Sequence, residues 1–177
     1  MNFLRLTLIS IFIVASSASS FAFNSNLLSN RVPQFTMVNI NPSAAISDKS
    51  QTKPVTYLTP EEREQYRVVI EQGTVYSLNG TPYPNTINTK AGHLNHINYV
   101  MDSNGNFYLF NEYVTKNIRH SSIFAGGPVA GAGEIVIQSG QVIYIDSDSG
   151  HYNTRSLLPN VLLELRADGV NTANLTN

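Results

Sequence analysis

The chain contains no cysteine and no tryptophan, and only 13% of its 177 residues are charged, about half the ~25% of an average soluble domain. Without thiols there is no disulfide framework, thiolate nucleophile, zinc–thiolate site or iron–sulfur cluster. Stability must come from packing and backbone pairing. Charge of one sign is also missing: 11 Lys and Arg face 12 Asp and Glu, a formal net charge of −1. No broad basic field holds phosphates, so no nucleic-acid partner is expected. No hydrophobic run reaches the ~20 residues that a membrane-spanning helix needs. What remains has the size of one small domain with extensions, since domains usually run about 100–150 residues.

Residues 1–22, MNFLRLTLISIFIVASSASSFA, place one cation, Arg5, ahead of an apolar run from Leu6 to Ala15 and a tail of small residues. This three-part layout predicts a signal peptide cleaved after Ala22. Cleavage removes Arg5 and no acid, so the mature chain carries 10 basic and 12 acidic residues, a net −2. The mature protein is expected to be secreted or periplasmic, with no membrane association after cleavage. The absence of thiols fits a secreted bacterial protein better than a small eukaryotic secreted domain, which usually needs staples.

Residues 23–56 are rich in Asn, Ser, Pro, Gln and Thr, with Phe35, Met37 and Ile40 isolated among them. They read as a flexible polar linker, because so little apolar surface cannot offset the entropy of ordering. A single α+β domain is expected over 57–177. Thr59-Pro60-Glu61-Glu62 combines a hydroxyl N-cap, a first-turn proline and two carboxylates, which predicts a helix from Pro60 to about Glu71. Three hairpin signals follow: Thr74 to Leu78 before Asn79-Gly80, Ile97 to Met101 with Asn106 to Phe110, and Glu134 to Gln138 with Gln141 to Asp146. A C-terminal helix from about Ser156 to Ala167 places Leu157, Val161, Leu162 and Leu165 on one face and stops at Gly169. The predicted fold class is α+β, a small antiparallel sheet built from hairpins with a short N-terminal helix and a C-terminal helix.

Chemistry concentrates on a few side chains. His120 and His151 sit beside hydroxyls at loop edges, where imidazole exchanges protons near neutral pH. Glu134 could orient one of them or act as a base, and Ser121 and Ser122 are nucleophiles only with a histidine in reach. The same residues could equally pin loops together by hydrogen bonds. Four glycines lie between Ala125 and Gly133; Gly126 and Gly127, with Tyr152, are binding candidates, through backbone N–H groups or through close packing. His93 and His96 stand three apart, as ligands on one helical face would. Their setting reads as a loop entering a strand, and a third ligand would have to come from afar, Glu112 or Asp102 for example, so no metal site and no cofactor is assigned. Asp146-Ser147-Asp148 opens like a calcium loop but lacks its glycine and closing glutamate, and reads as a solvated turn.

The run His120-Ser121-Ser122-Ile123-Phe124-Ala125-Gly126, continuing to Ala132-Gly133-Glu134, and the later Ser149-Gly150-His151-Tyr152 together resemble a module at the C-terminal ends of bacterial Rhs-type polymorphic toxins and secreted effectors. A similar stretch occurs in plant calmodulin-binding proteins that carry an IQ motif. The likeness covers roughly residues 66–170 and implies a context of secretion and targeting, without a reaction. Two features depart from it. No IQ-type basic helix is present, so calmodulin binding is not implied, and Asn153 stands where a basic residue and proline often follow.

The expected function is a secreted bacterial effector or toxin-type domain. It would act on an unknown host or competitor macromolecule through a polar pocket of His120, Ser121, Glu134 and His151. The alternative is a non-catalytic secreted module whose histidines and glycine-rich loop hold the hairpins together. Whether the protein is an enzyme stays open.

Overall fold

The computed structural model describes residues 34–49, 54–173 and 175. The signal peptide expected over residues 1–22 lies outside them. The fold is α+β, with antiparallel sheets and short helices near both ends. Its elements are α1 (Pro42–Asp48), α2 (Pro60–Arg63), β1 (Val68–Glu71), β2 (Thr74–Ser77), β3 (Ile97–Met101), β4 (Phe107–Phe110), α3 (His120–Ile123), β5 (Gly131–Gln138), β6 (Gln141–Ile145) and α4 (Leu158–Ala167). No helix among the described residues is long and apolar enough to cross a membrane.

Four strands form the main sheet in the order β4-β3-β5-β6, and β1 and β2 form a separate hairpin. The two long hairpins predicted from turn signals are joined through the β3–β5 pairing, which sets Asn98 opposite Glu134 and Val100 opposite Ala132. Every residue of β3 and β4 is buried, because apolar layers cover both faces of the sheet. This explains why Ile97-Asn98-Tyr99-Val100-Met101 and Phe107-Tyr108-Leu109-Phe110 do not alternate cleanly. One layer packs Tyr99, Met101, Leu109 and Ile135 against Val161 and Leu165 of α4. The other packs Val100, Tyr108, Phe110 and Ala132 against Leu58, Ile123, Val129 and Tyr152.

The helix expected from Pro60 to Glu71 is cut short. Thr59 closes a full capping box with Glu62, yet the α-helix ends at Arg63 and a 3₁₀ turn covers Glu64–Tyr66. Val68-Val69-Ile70 is β-branched throughout and pairs instead with β2. Gln72 and Gly73, both at positive φ, make the tight turn between them. The C-terminal helix follows its prediction, with Pro159 in the first turn and a 3₁₀ lead-in at Arg155–Leu157.

Part of the segment read as a flexible linker is laid on the second layer. Val38 exchanges backbone hydrogen bonds with Val129 at 2.8 and 3.0 Å, and Asn41 N donates to the His151 carbonyl at 2.9 Å. Val38 and Ile40 pack on the layer below, and Ala44 and Asp48 of α1 are buried. Two apolar residues in alternation and one buried acid suffice to seat the arm formed by residues 34–49, although its composition is polar.

Candidate functional site

The four histidines of the chain fall into two groups of polar side chains. In the first, Asp48 is the hub. Its Oδ1 lies 3.0 Å from His151 Nε2 and its Oδ2 accepts from the Tyr57 hydroxyl at 3.2 Å. Asp48 comes from the end of α1, and His151 from the Ser149-Gly150-His151-Tyr152 turn, where Ser149 Oγ accepts from the backbone N–H of both His151 and Tyr152. The His120 and His151 rings are 6.4 Å apart between centroids. His120 is buried at the start of α3, its Nε2 donating to the Gly133 carbonyl at 3.0 Å with the Asn98 amide 3.3 Å away. Burial holds its pKa below the ordinary value of 6.5, against the opposing pull of the Gly133 bond. The ring also packs edge-on against Phe110.

Ser121 is fully buried, and its hydroxyl has no hydrogen-bond partner among the described residues. Ser122 Oγ accepts from Arg119 N and closes the first turn of α3. The N–H groups of the glycine-rich loop turn inward. Gly126 N donates to Ser121 O, Gly127 N to Phe124 O, and Ala130 N to Met101 O, so close packing accounts for Gly126 and Gly127. A Cβ on Gly126 would come 3.0 Å from the Tyr57 hydroxyl. Tyr152 donates to the Gly127 carbonyl at 2.8 Å, and burial raises its phenol above the usual value.

Glu134 belongs to the second group. Its carboxylate lies 2.9 Å from His93 Nδ1 and 2.8 Å from His96 Nδ1. The histidines sit on a braced loop. Thr86 staples it to β5 at the irregularity after Val136, accepting from Ile137 N at 3.1 Å and donating its own N–H to Ile137 O at 2.9 Å. Asn88 donates to the His96 carbonyl, and Gly92 and Asn95 take positive φ to turn the chain. Behind Glu134, Asp146 accepts from Glu134 N and from the Tyr144 hydroxyl, both at 2.8 Å. Tyr144 lies over His96 with centroids 4.4 Å apart, and desolvation with the Asp146 bond pushes its phenol up to about 12. The three groups each offer one ligand atom, all within 4.8 Å of one another.

The structure thus brings His120 and His151 together and gives the Glu134 carboxylate to His93 and His96. The third partner of the two histidines is neither Glu112 nor Asp102. Glu112 lies 3.9 Å from Arg119, and Asp102 accepts from Asn104 and Asn106 in its own turn. Nothing in the sequence marks Asp48 or Tyr57. Asp48 is fixed by where the arm crosses the fold, and Tyr57 by the backbone bonds of Thr56 to Asn117 and of Leu58 to Ser122 on either side of it.

Residues 62–157 match the family model described as "IQ motif-containing protein middle domain". The chain is 31% identical over 139 residues to an IQ domain-containing protein of Arabidopsis thaliana, IQM3, with 72% of this chain and 27% of that protein covered. A second, IQM5, is 29% identical over 126 residues, covering 71% and 24%. The chain therefore spans about a quarter of the length of these relatives. No solved structure matches it. These findings overturn the expectation of a bacterial secreted effector or toxin-type domain with a host or competitor target, and none of them supports the Rhs-type likeness. They also correct the reading that calmodulin binding is not implied, because the family model and the matching proteins are described by their IQ motif. The likeness to plant IQ-motif proteins stands, and the chain belongs to the IQ motif-containing protein middle domain family, whose match takes in all four histidines and Glu134 and leaves Asp48 and Tyr57 outside it.

Proposed function

We propose that the chain is a peptide-recognition module of the IQ-motif family with calmodulin as regulatory partner, and that it takes an extended peptide segment in the groove its own arm occupies. The observation that carries this reading is the seating of residues 38–41. They pair with Val129 on one side and with His151 and Tyr152 on the other. The groove walls fall within the family-matched residues 62–157, and the arm falls outside them. Main-chain hydrogen bonds supply affinity in such pairings and alternate side chains, here Val38 and Ile40, supply selectivity. Asp48, buried between His151 and Tyr57, latches the arm.

A fluorescent peptide of residues 34–49, added to the full chain and to Asp48→Ala, tests the groove by anisotropy. Loosening the arm should raise peptide affinity at least tenfold, because the cis occupant competes less. Equal affinity for both proteins refutes the reading. Titration of labelled calmodulin with the full chain, with and without calcium, tests the partner; no complex at about 10 μM in either state overturns it.

A separate proposal rests on the leader-like residues 1–22: export to a secreted or periplasmic destination, with 23–56 as a polar linker and 57–177 as a single α+β domain. Fractionating cells that express the chain with and without residues 1–22 tests it. Both forms in one compartment would overturn it.

A further inference from the structure

We propose that His93, His96 and Glu134 form a binding site for a divalent transition-metal ion. Two imidazole nitrogens and a carboxylate oxygen converge from a loop and from strand β5. All three residues are partly buried, with side-chain exposures of 30%, 18% and 13%.

The donor set selects the ion. Calcium and magnesium take six or more oxygen ligands or keep most of their water, so one carboxylate serves them poorly. Two histidines with one carboxylate suit zinc, cobalt, ferrous iron and nickel, and three protein ligands leave a position for water or another small donor. The three ligand atoms lie within 4.8 Å of one another, close to the spacing an ion would set. Metal–ligand distances near 2.1 Å in a tetrahedron separate ligand atoms by about 3.4 Å. The present nitrogen–oxygen separations are 2.8 and 2.9 Å, so an ion enters when the carboxylate and the rings part by roughly half an ångström.

Supporting contacts resemble those behind established metal ligands, which hold ligand orientation through a second layer of hydrogen bonds. Asp146 grips the backbone N–H of Glu134, and the Tyr144 ring covers His96. Asn88 and Thr86 fix the loop on which the histidines ride. The two imidazoles face each other edge-on at 87°, their centroids 6.2 Å apart, and the Glu134 carboxylate bridges their Nδ1 atoms. The site is independent of the peptide groove, whose histidine is His151.

Isothermal titration of the full chain, stripped with EDTA, with zinc and then cobalt tests the site. One ion per chain is expected, with cobalt showing the visible absorption of a low-coordinate nitrogen–oxygen site. Glu134→Gln and His93→Ala should each weaken zinc at least tenfold, while His151→Ala binds as the wild type does. Calcium should not compete at millimolar concentration. His93 is the most exposed of the three, so His93→Ala serves if Glu134→Gln fails to fold, with circular dichroism confirming each variant. Zinc binding unchanged in a folded Glu134→Gln or His93→Ala, or no stoichiometric binding by the wild type, overturns the proposal and leaves a hydrogen-bonded cluster alone.

Discussion

Replacing Gly133 by alanine tests how closely β5 and the turn after β6 are pressed together. A Cβ at this position would fall on the Asp146 carbonyl oxygen and 2.8 Å from Ser147 Cα. Both are backbone atoms that no rotamer change can move aside. The Asp146 carbonyl also accepts from the buried Tyr99 hydroxyl at 2.7 Å, so the shift that relieves the clash breaks that bond too. Overpacking of this kind costs about 1–3 kcal/mol, and a buried hydrogen bond adds about 1 kcal/mol. The sum, about 3 kcal/mol, corresponds to a fall in Tm of about 10 °C for a chain of this size. Urea unfolding followed by tyrosine fluorescence reads it directly, since the chain has nine tyrosines and no tryptophan to mask them. Gly150→Ala is the control: nothing lies within 4 Å of its Cβ, and its effect should stay within about 0.5 kcal/mol. A Gly133→Ala protein within 1 kcal/mol of wild type would refute the close-approach argument.

Three further outcomes follow from the same contacts. The folded state holds His120 neutral below 6.5, so the unfolded chain binds the proton first. Stability is then retained above pH 6.5 and falls as pH drops below it, by up to about 1.4 kcal/mol per unit; a folded His120→Gln protein should lose that slope in denaturation series between pH 7 and pH 5. Tyr152→Phe removes the donor to Gly127 O and should cost about 1 kcal/mol by urea unfolding, with an unchanged midpoint counting against that bond. Thr59→Ala opens the capping box and should cost about 1 kcal/mol in the same assay; no loss would mean that the two-turn segment is held by packing alone.

The hairpins β3–β4 and β5–β6 and helix α4 were legible because each carries a local signal: a turn cluster between apolar runs, or a stripe of Leu and Val closed by Gly169. The start of α2 was legible for the same reason, but its end was not. Pairing with β2 drew Val68, Val69 and Ile70 into a strand, and only the tertiary partner decides between the two states. The same limit governs the sites. The pair His93 and His96 is visible in the sequence, whereas Glu134 becomes their partner only through the β3–β5 pairing, which links one hairpin to another and leaves no local mark. Asp48 was hidden more deeply still, in a segment whose composition argued against order.

Side chains along β5 point alternately to the two layers, Glu134 to the histidines and Ile135 to the apolar side beneath α4. Sliding this strand by a single residue against β3 would thrust a carboxylate among hydrocarbon and turn an isoleucine toward two imidazoles. A completed triad therefore exists only in correctly threaded molecules. Any ion captured there would act as a proofreader of the fold, withdrawing properly aligned chains from the pool of mispaired ones by mass action.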